Sequence, residues 1–145
     1  MSILPNAILF PLTLSEISGE QSFYYSITIG AASSLLKDGG MEICNYQDIE
    51  MKVQCINLDE WACKHGVDHI DFIWLDIEGN ELPVLKSAST ILIPVKAIIT
   101  EVNFLEFRQG CTQYQELYDF LIVNGFRLYR IWGNPKWQGN ALFVR

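Results

Sequence analysis

Residues 70–81 read IDFIWLDIEGNE, and the fold turns on how that stretch is interpreted. Residues 70–75 form a short, mostly apolar run that predicts a strand buried on both faces. The run then breaks into acid, glycine and acid: Asp76, Glu78 and Glu81 follow within six residues, and Gly79 lets the backbone turn sharply. A helical pattern of Leu82, Leu85, Ala88 and Leu92 begins at once. Such a switch marks the carboxyl end of a strand, which is where open α/β sheets bind ligands. Two readings follow. One is a carboxylate site at the end of a sheet; the other is a strand-to-helix turn in which Glu78 and Glu81 complement the helix dipole.

The 145 residues suit one domain, and a chain of that size buries about 68–70% of its unfolded surface, enough for a real core. Half the residues are apolar, spread in short blocks with no run of about 18 or more that could span a bilayer. No basic, apolar, small-residue pattern at Met1 marks secretion, so a soluble cytoplasmic protein is expected. Seventeen acidic against ten basic side chains give a net charge of −7, with no Lys/Arg cluster, which argues against a nucleic-acid partner. Cys44, Cys55, Cys63 and Cys111 form no CxxC pair and are expected to be small buried residues. His65 and His69 are four apart, but Gly66 intervenes and no HExxH pattern is present, so no metal role is assigned to them.

Working outward, residues 7–13 read as a short strand, residues 18–20 as a turn and residues 22–25 as a second strand. The segment 30–40, rich in Gly, Ala and Ser and holding Asp38-Gly39-Gly40, shows no period and reads as a mobile excursion. Residues 51–56 alternate like a strand. Asn57 then offers capping chemistry to a helix over 58–65 that ends at Gly66. Beyond the central stretch, 81–93 predicts an amphipathic helix stopped by Pro94, with Pro83 tolerated in its first turn. A second buried strand over 95–102 again ends in polar residues, Glu101 and Asn103. Thr112 is expected to cap a helix over 114–123 closed by Asn124-Gly125. Strands over 126–132 and 141–144 complete the chain as an antiparallel hairpin. Alternating strands and helices indicate a mostly parallel sheet with helices on both faces, plus that terminal antiparallel pair.

Over 55–145 the succession INLDEW, IDFIWLDIEGNELPVLKSA, KAIITEVNFLEF, YQELYDFLIVNGFRL and WQGNALFVR resembles the FkbM-type methyltransferases, which use S-adenosylmethionine. LTLSEISGEQSFYYS resembles the segment that precedes this block in the same family. The resemblance implies a Rossmann-like methyltransferase fold and O-methylation of a sugar or other small-molecule hydroxyl. It makes Asp76 the first candidate for holding the acceptor or accepting its proton, with Glu78 and Glu101 behind it. It places Ser15 and Glu16 where this fold commonly contacts the adenine, a plain turn being the other reading of them. Asp76, Glu78, Glu101 and Asn103 could also assemble an all-oxygen magnesium site, although no metal is assigned. Trp132, Trp137 and Phe143 read as core rather than as a substrate platform.

Two departures stand out. Trp74 occupies a position where family members often carry lysine, so no role of that lysine transfers. The glycine-rich loop that ends the first strand of such folds, and the acidic residue that holds the ribose, have no counterpart; Asp38-Gly39-Gly40 neither follows a buried strand nor opens a helix. The chain therefore looks like an incomplete fold, truncated on its amino-terminal side. Its strands are expected to lack a neighbour, giving an exposed sheet edge, self-association and weak or no cofactor binding. Two other readings remain open: a non-catalytic remnant or interaction module that uses the exposed half-sheet, and a sequence fragment. The methyl acceptor is not legible.

Overall fold

The structure, a computed structural model, describes residues 6–42, 44 and 46–145. Seven strands and three α-helices run in the order β1 (Thr13–Leu14), β2 (Gly19–Ser26), β3 (Asp48–Ile56), α1 (Leu58–His65), β4 (Phe72–Leu75), α2 (Glu81–Ser87), β5 (Ala97–Asn103), α3 (Tyr114–Val123), β6 (Arg127–Gly133) and β7 (Gln138–Val144). They form a three-stranded sheet in the order β1-β3-β2 and a four-stranded sheet in the order β4-β5-β7-β6.

The expectation of a mostly parallel sheet is corrected. Only β1 with β3 and β4 with β5 run parallel; β2 with β3, β5 with β7 and β6 with β7 are antiparallel. Parallel neighbours need a long crossover, as between β4 and β5, whereas the short β6–β7 connection folds back as a hairpin. β4-α2-β5 supplies the helical crossover of the larger sheet, and the terminal β6-β7 hairpin packs its second strand against β5.

Among the described residues the three helices lie on one face of the larger sheet and not on both. Two cross-strand rows, Ile73–Ile98–Phe143 and Leu75–Thr100–Ala141, share one face of the larger sheet. On that face lies the core, with Leu58 and Ala62 of α1, Leu82, Val84 and Leu85 of α2, and Leu117 and Leu121 of α3. Leu85, Leu117, Leu121 and Phe143 are wholly buried, each worth about 1.5–3 kcal/mol of transfer free energy. The opposite rows, Phe72–Ala97–Val144 and Trp74–Ile99–Leu142, carry none of the three helices. The central strand is thus not buried on both faces: Phe72 is 47% and Trp74 66% exposed, because β4 is the edge strand and its second face is uncovered.

Local signals account for α1. Asn57 Oδ1 accepts from the Asp59 and Glu60 amides at 2.9 and 3.4 Å, and Gly66 closes the helix in the left-handed conformation. α2 is shorter than the periodicity predicts. It stops at Ser87, and the next turns are held from outside, since the Asp59 carboxylate accepts from the amides of Thr90 and Ile91. Burial works against ionised Asp59, but these amides and the Ser89 hydroxyl outweigh it and hold the carboxyl below its ordinary range. The capping role of Thr112 is reassigned. α3 is preceded by Gln113 as its N-cap, whose amide donates to Glu116 Oε2 at 3.4 Å, while Thr112 Oγ1 accepts from the Leu82 amide of α2 at 3.1 Å.

The predicted strand over 7–13 shrinks to Thr13–Leu14, the two residues that find a partner in Cys55–Ile56; Ile8 and Leu9 lie exposed. The segment 30–40 is a fastened strap and not a loose excursion. It holds a 3-10 turn at Gly30–Ala32, a bridge from Ser34 to Tyr24 and one from Asp38 to Arg108. Arg108, 1% exposed, locks the strap to the smaller sheet by donating to the Ala32 carbonyl and the Asp48 carboxylate, with its guanidinium over the Tyr46 ring. All four cysteines are free; Cys55 and Cys111 are buried, but Cys63 is exposed on the outer side of α1. Among the described residues no helix is long and apolar enough to cross a membrane.

Candidate active site

β4 and β5 end side by side, and the turn after β4 folds across those ends. Glu78 sits in the left-handed region at φ +53°, which costs about 1–2 kcal/mol for a residue with a side chain. The turn is held by its surroundings. Ser34 Oγ donates to the Glu78 carbonyl at 2.8 Å, and the Thr112 amide donates to the Gly79 carbonyl at 2.8 Å. Gly79 has φ +100°, and a Cβ there would lie 2.4 Å from Cys111 Cβ, so the position excludes any side chain. Glu81, fully buried at the start of α2, turns back so that Oε1 accepts from the amides of Gly79 and Ile77 at 3.1 and 3.3 Å. This is the helix-end role read from its position.

The turn brings Asp76 and Glu78 to Glu101 of β5. One carboxylate oxygen from each of the three lies within 4.8 Å of the others. Asp76 is exposed, Glu78 half-buried and Glu101 buried, so the cluster runs from solvent into the protein. Gln138, at the start of β7, holds Glu101: its Nε2 donates to Oε1 at 2.6 Å. Asn103, 3% exposed, stands beside it on β5. Burial, followed by the charges of Asp76 and Glu81, raises Glu78 to about 7. Burial, followed by the charges of Glu78, Glu81 and Asp76, raises Glu101 to about 9. Burial also raises Glu81, against the lowering effect of the turn amides.

The three residues named from sequence as catalytic candidates therefore share one place. The two named for the cofactor do not join them. Ser15 is buried, with Oγ accepting from Gln21 Nε2 at 3.0 Å, and the carbonyl of exposed Glu16 accepts from Asn57 Nδ2 at 3.1 Å. Nothing at the head of a hairpin strand signals a partner 37 positions away, so Gln138 carries no sequence signal of its role. Ser34 was likewise hidden in a segment without period. His65 packs against the Phe10 and Trp61 rings and His69 pairs with Asp71, so the two histidines serve different contacts.

Two openings flank the site. A cleft of about 380 Å³ runs from Asp76, Ile77 and Asn80 to Leu14, Phe23 and Leu35. An apolar groove of about 320 Å³ separates β4 from β1 and α1, with Phe10, Leu12 and Ile56 on one wall and Phe72 and Trp74 on the other.

A family model described as the methyltransferase FkbM domain matches residues 12–128. The chain belongs to the FkbM methyltransferase family. Among curated proteins it is similar to the 2-O-methyltransferase NoeI of Sinorhizobium fredii (strain NBRC 101917 / NGR234), at 27% identity over 130 residues. The match covers 83% of this chain and 54% of the relative, so the chain spans about half the length of that relative. No solved structure is matched.

FkbM membership raises the question of where S-adenosylmethionine would sit. Neither the glycine pair of the strap nor the groove beside β4 offers a cradle for it. Gly39, from the one glycine pair in the strap, is packed so that a Cβ would meet the Glu106 and Phe107 carbonyls at 2.5 and 2.8 Å, which leaves no space for a ligand against it. The groove beside β4 is apolar, without the charged and polar groups that a sulfonium amino acid and a ribose require.

Proposed function

We propose that this chain is the acceptor-binding part of an S-adenosylmethionine-dependent methyltransferase that acts on a hydroxyl of a sugar or other small molecule. The observation that carries this reading is the convergence of Asp76, Glu78 and Glu101 at the adjoining carboxyl ends of two parallel strands, in a chain of this family. An acceptor hydroxyl becomes nucleophilic as it loses its proton, and a carboxylate held near neutrality is matched to take it. Glu78, raised to about 7, has that property. Exposed Asp76, at the rim of the cleft, accepts a hydrogen bond from the acceptor and orients it. Gln138 keeps Glu101 in place behind them.

The cofactor side, in this reading, comes from polypeptide outside these 145 residues. The packing around Gly39 and the apolar groove beside β4, an edge strand among the described residues, support it. A cytoplasmic location belongs to the same proposal and is supported by four unpaired thiols. A small hydroxylated acceptor is the expected partner, with neither nucleic acid nor membrane.

Calorimetric titration of S-adenosylmethionine into the 145-residue chain is expected to show no saturable heat in the micromolar range. The same residues fused behind a segment carrying a glycine-rich cofactor strand should transfer methyl groups to sugar hydroxyls, and Asp76→Asn should abolish that transfer. Micromolar binding by the isolated chain as a monomer would refute the division of labour; a fully active Asp76→Asn fusion would refute the acceptor site. The uncovered face bearing Trp74 favours a second reading, an interaction module that seats a partner on the half-sheet. An inactive fusion that still binds a protein partner through Trp74 would decide for it.

A further inference from the structure

Asn80 stands at the N-cap position of α2 and does not act as a cap. Asparagine is among the best helix caps because its side-chain oxygen accepts an amide of the first turn. The Asn80 side chain makes no such bond, and the Leu82 amide goes to Thr112 Oγ1 instead. Asn80 is only 8% exposed, and among the described residues its carboxamide has no hydrogen-bond partner. A buried amide left unpaired is costly, and folded proteins rarely keep one without a use. Thr112 closes the helix end, so the use lies in the cleft of about 380 Å³ that Asn80 borders.

The chemistry of that cleft narrows what can pair with the amide. Its volume falls within the range of about 300–1,000 Å³ in which small-ligand sites lie. Leu12, Phe23 and Leu35 supply apolar walls. The Thr13 hydroxyl and the Asp76 carboxylate also line it and, like Asn80, have no hydrogen-bond or ion-pair partner among the described residues. Among the described residues no lysine or arginine lines the cleft, so a phosphate or carboxylate meets no counter-charge there. A neutral ring with apolar faces and hydroxyls at its edge fits. A hydroxyl both donates and accepts; a carboxamide answers both ways, whereas a carboxylate only accepts. We propose that the cleft holds one sugar ring of the acceptor, and that Asn80 binds the hydroxyl next to the one that Asp76 takes. The feature selected is thus a pair of neighbouring hydroxyls. This deepens the acceptor-site reading and rests on it for the role of Asp76. Asn80 acts as a specificity residue, because a site built to pair with a hydroxyl rejects the analogue that lacks it.

The test reads binding alone and does not depend on methyl transfer. Methyl glycosides of glucose, galactose, mannose and fucose are titrated at millimolar concentrations into the isotope-labelled 145-residue chain, and the side-chain amide signals of Asn80 are followed by NMR. The expected result is a saturable shift with at least one glycoside, and binding weakened by about tenfold in Asn80→Ala. The thermal midpoint of Asn80→Ala should not fall, since the amide has no partner in the fold to lose. Removing either of two neighbouring ring hydroxyls should weaken binding to the wild type, and removing the one that Asn80 holds should cost nothing further in Asn80→Ala. Adenosine, whose ribose also carries two neighbouring hydroxyls, is the comparison ligand. A shift with adenosine and with none of the glycosides would assign the cleft to the cofactor and overturn the inference. No saturable shift with any glycoside, or undiminished binding by Asn80→Ala, overturns it as well. The fusion experiment with Asp76→Asn judges the methyltransferase reading separately.

Discussion

Gln138 Nε2 donates to Glu101 Oε1 at 2.6 Å, the hydrogen bond that ties the last strand to the deepest carboxylate of the site. Glu101 is buried, so removing this donor takes away a hydrogen bond that bulk water does not replace. Gln138→Ala is expected to lower stability by about 1–3 kcal/mol. Urea denaturation would read the change as a lower midpoint; an unchanged midpoint would show that the bond is not needed.

The raised carboxylates fix the sign of the pH dependence. Glu78 and Glu101 sit at about 7 and about 9 in the folded chain, above the ordinary range they take when unfolded. Between those limits the folded state holds protons that the unfolded state has released, so stability falls as pH rises. In metal-free buffer the denaturation midpoint should therefore be higher near pH 5 than near pH 9, and Glu101→Gln should flatten the slope. A midpoint that rises with pH would contradict the burial of these groups.

Thr112 supports a helix to which it does not belong. Its hydroxyl oxygen accepts the Leu82 amide in the first turn of α2, while α3 relies on Gln113 and Glu116. Thr112→Val keeps the shape and removes the acceptor, for an expected loss of about 1 kcal/mol. Hydrogen exchange should quicken at the Leu82 amide and stay unchanged within α3. Faster exchange throughout α3 would restore the sequence-based assignment.

Two glycines of similar backbone class separate strain from crowding. Gly66 has φ +64° and open space around it, so Gly66→Ala should cost about 1–2 kcal/mol. Gly79 has φ +100° and Cys111 Cβ 2.4 Å from where a Cβ would stand. Backbone strain of about 1–3 kcal/mol is then joined by overpacking of about 1–3 kcal/mol, and Gly79→Ala should be the more damaging change. Thermal melts of the two variants compare them directly.

Trp74 is 66% exposed on a strand whose outer edge has no partner among the described residues. An unpaired edge with an apolar face invites pairing with another copy. Self-association of the isolated chain that grows with concentration is expected by light scattering, and Trp74→Lys should shift it toward monomer. A wild-type chain that stays monomeric at high concentration would count against an open edge in solution.

What could be read from the sequence is what depends on neighbours along the chain. Asn57 and Gly66 bracket α1 because a cap and a left-handed stop act within a few residues. The same holds for Gly125 after α3 and for the β6-β7 hairpin. Acids and a glycine directly after an apolar run are a local pattern, which makes Asp76 and Glu78 candidates, and the polar end of the strand over 95–102 does the same for Glu101. Tertiary structure decided what no local pattern encodes. Strand direction and the one-sided placement of the helices follow from which strands meet, and Trp74 reads like a core residue until β4 is seen to lie at the edge of its sheet. Gln138 finds Glu101 across 37 positions, Leu82 finds Thr112 across 30 and Ser34 finds Glu78 across 44. Hydrogen bonds and buried charge respond to distance in space, and the chain sets that distance only when it folds.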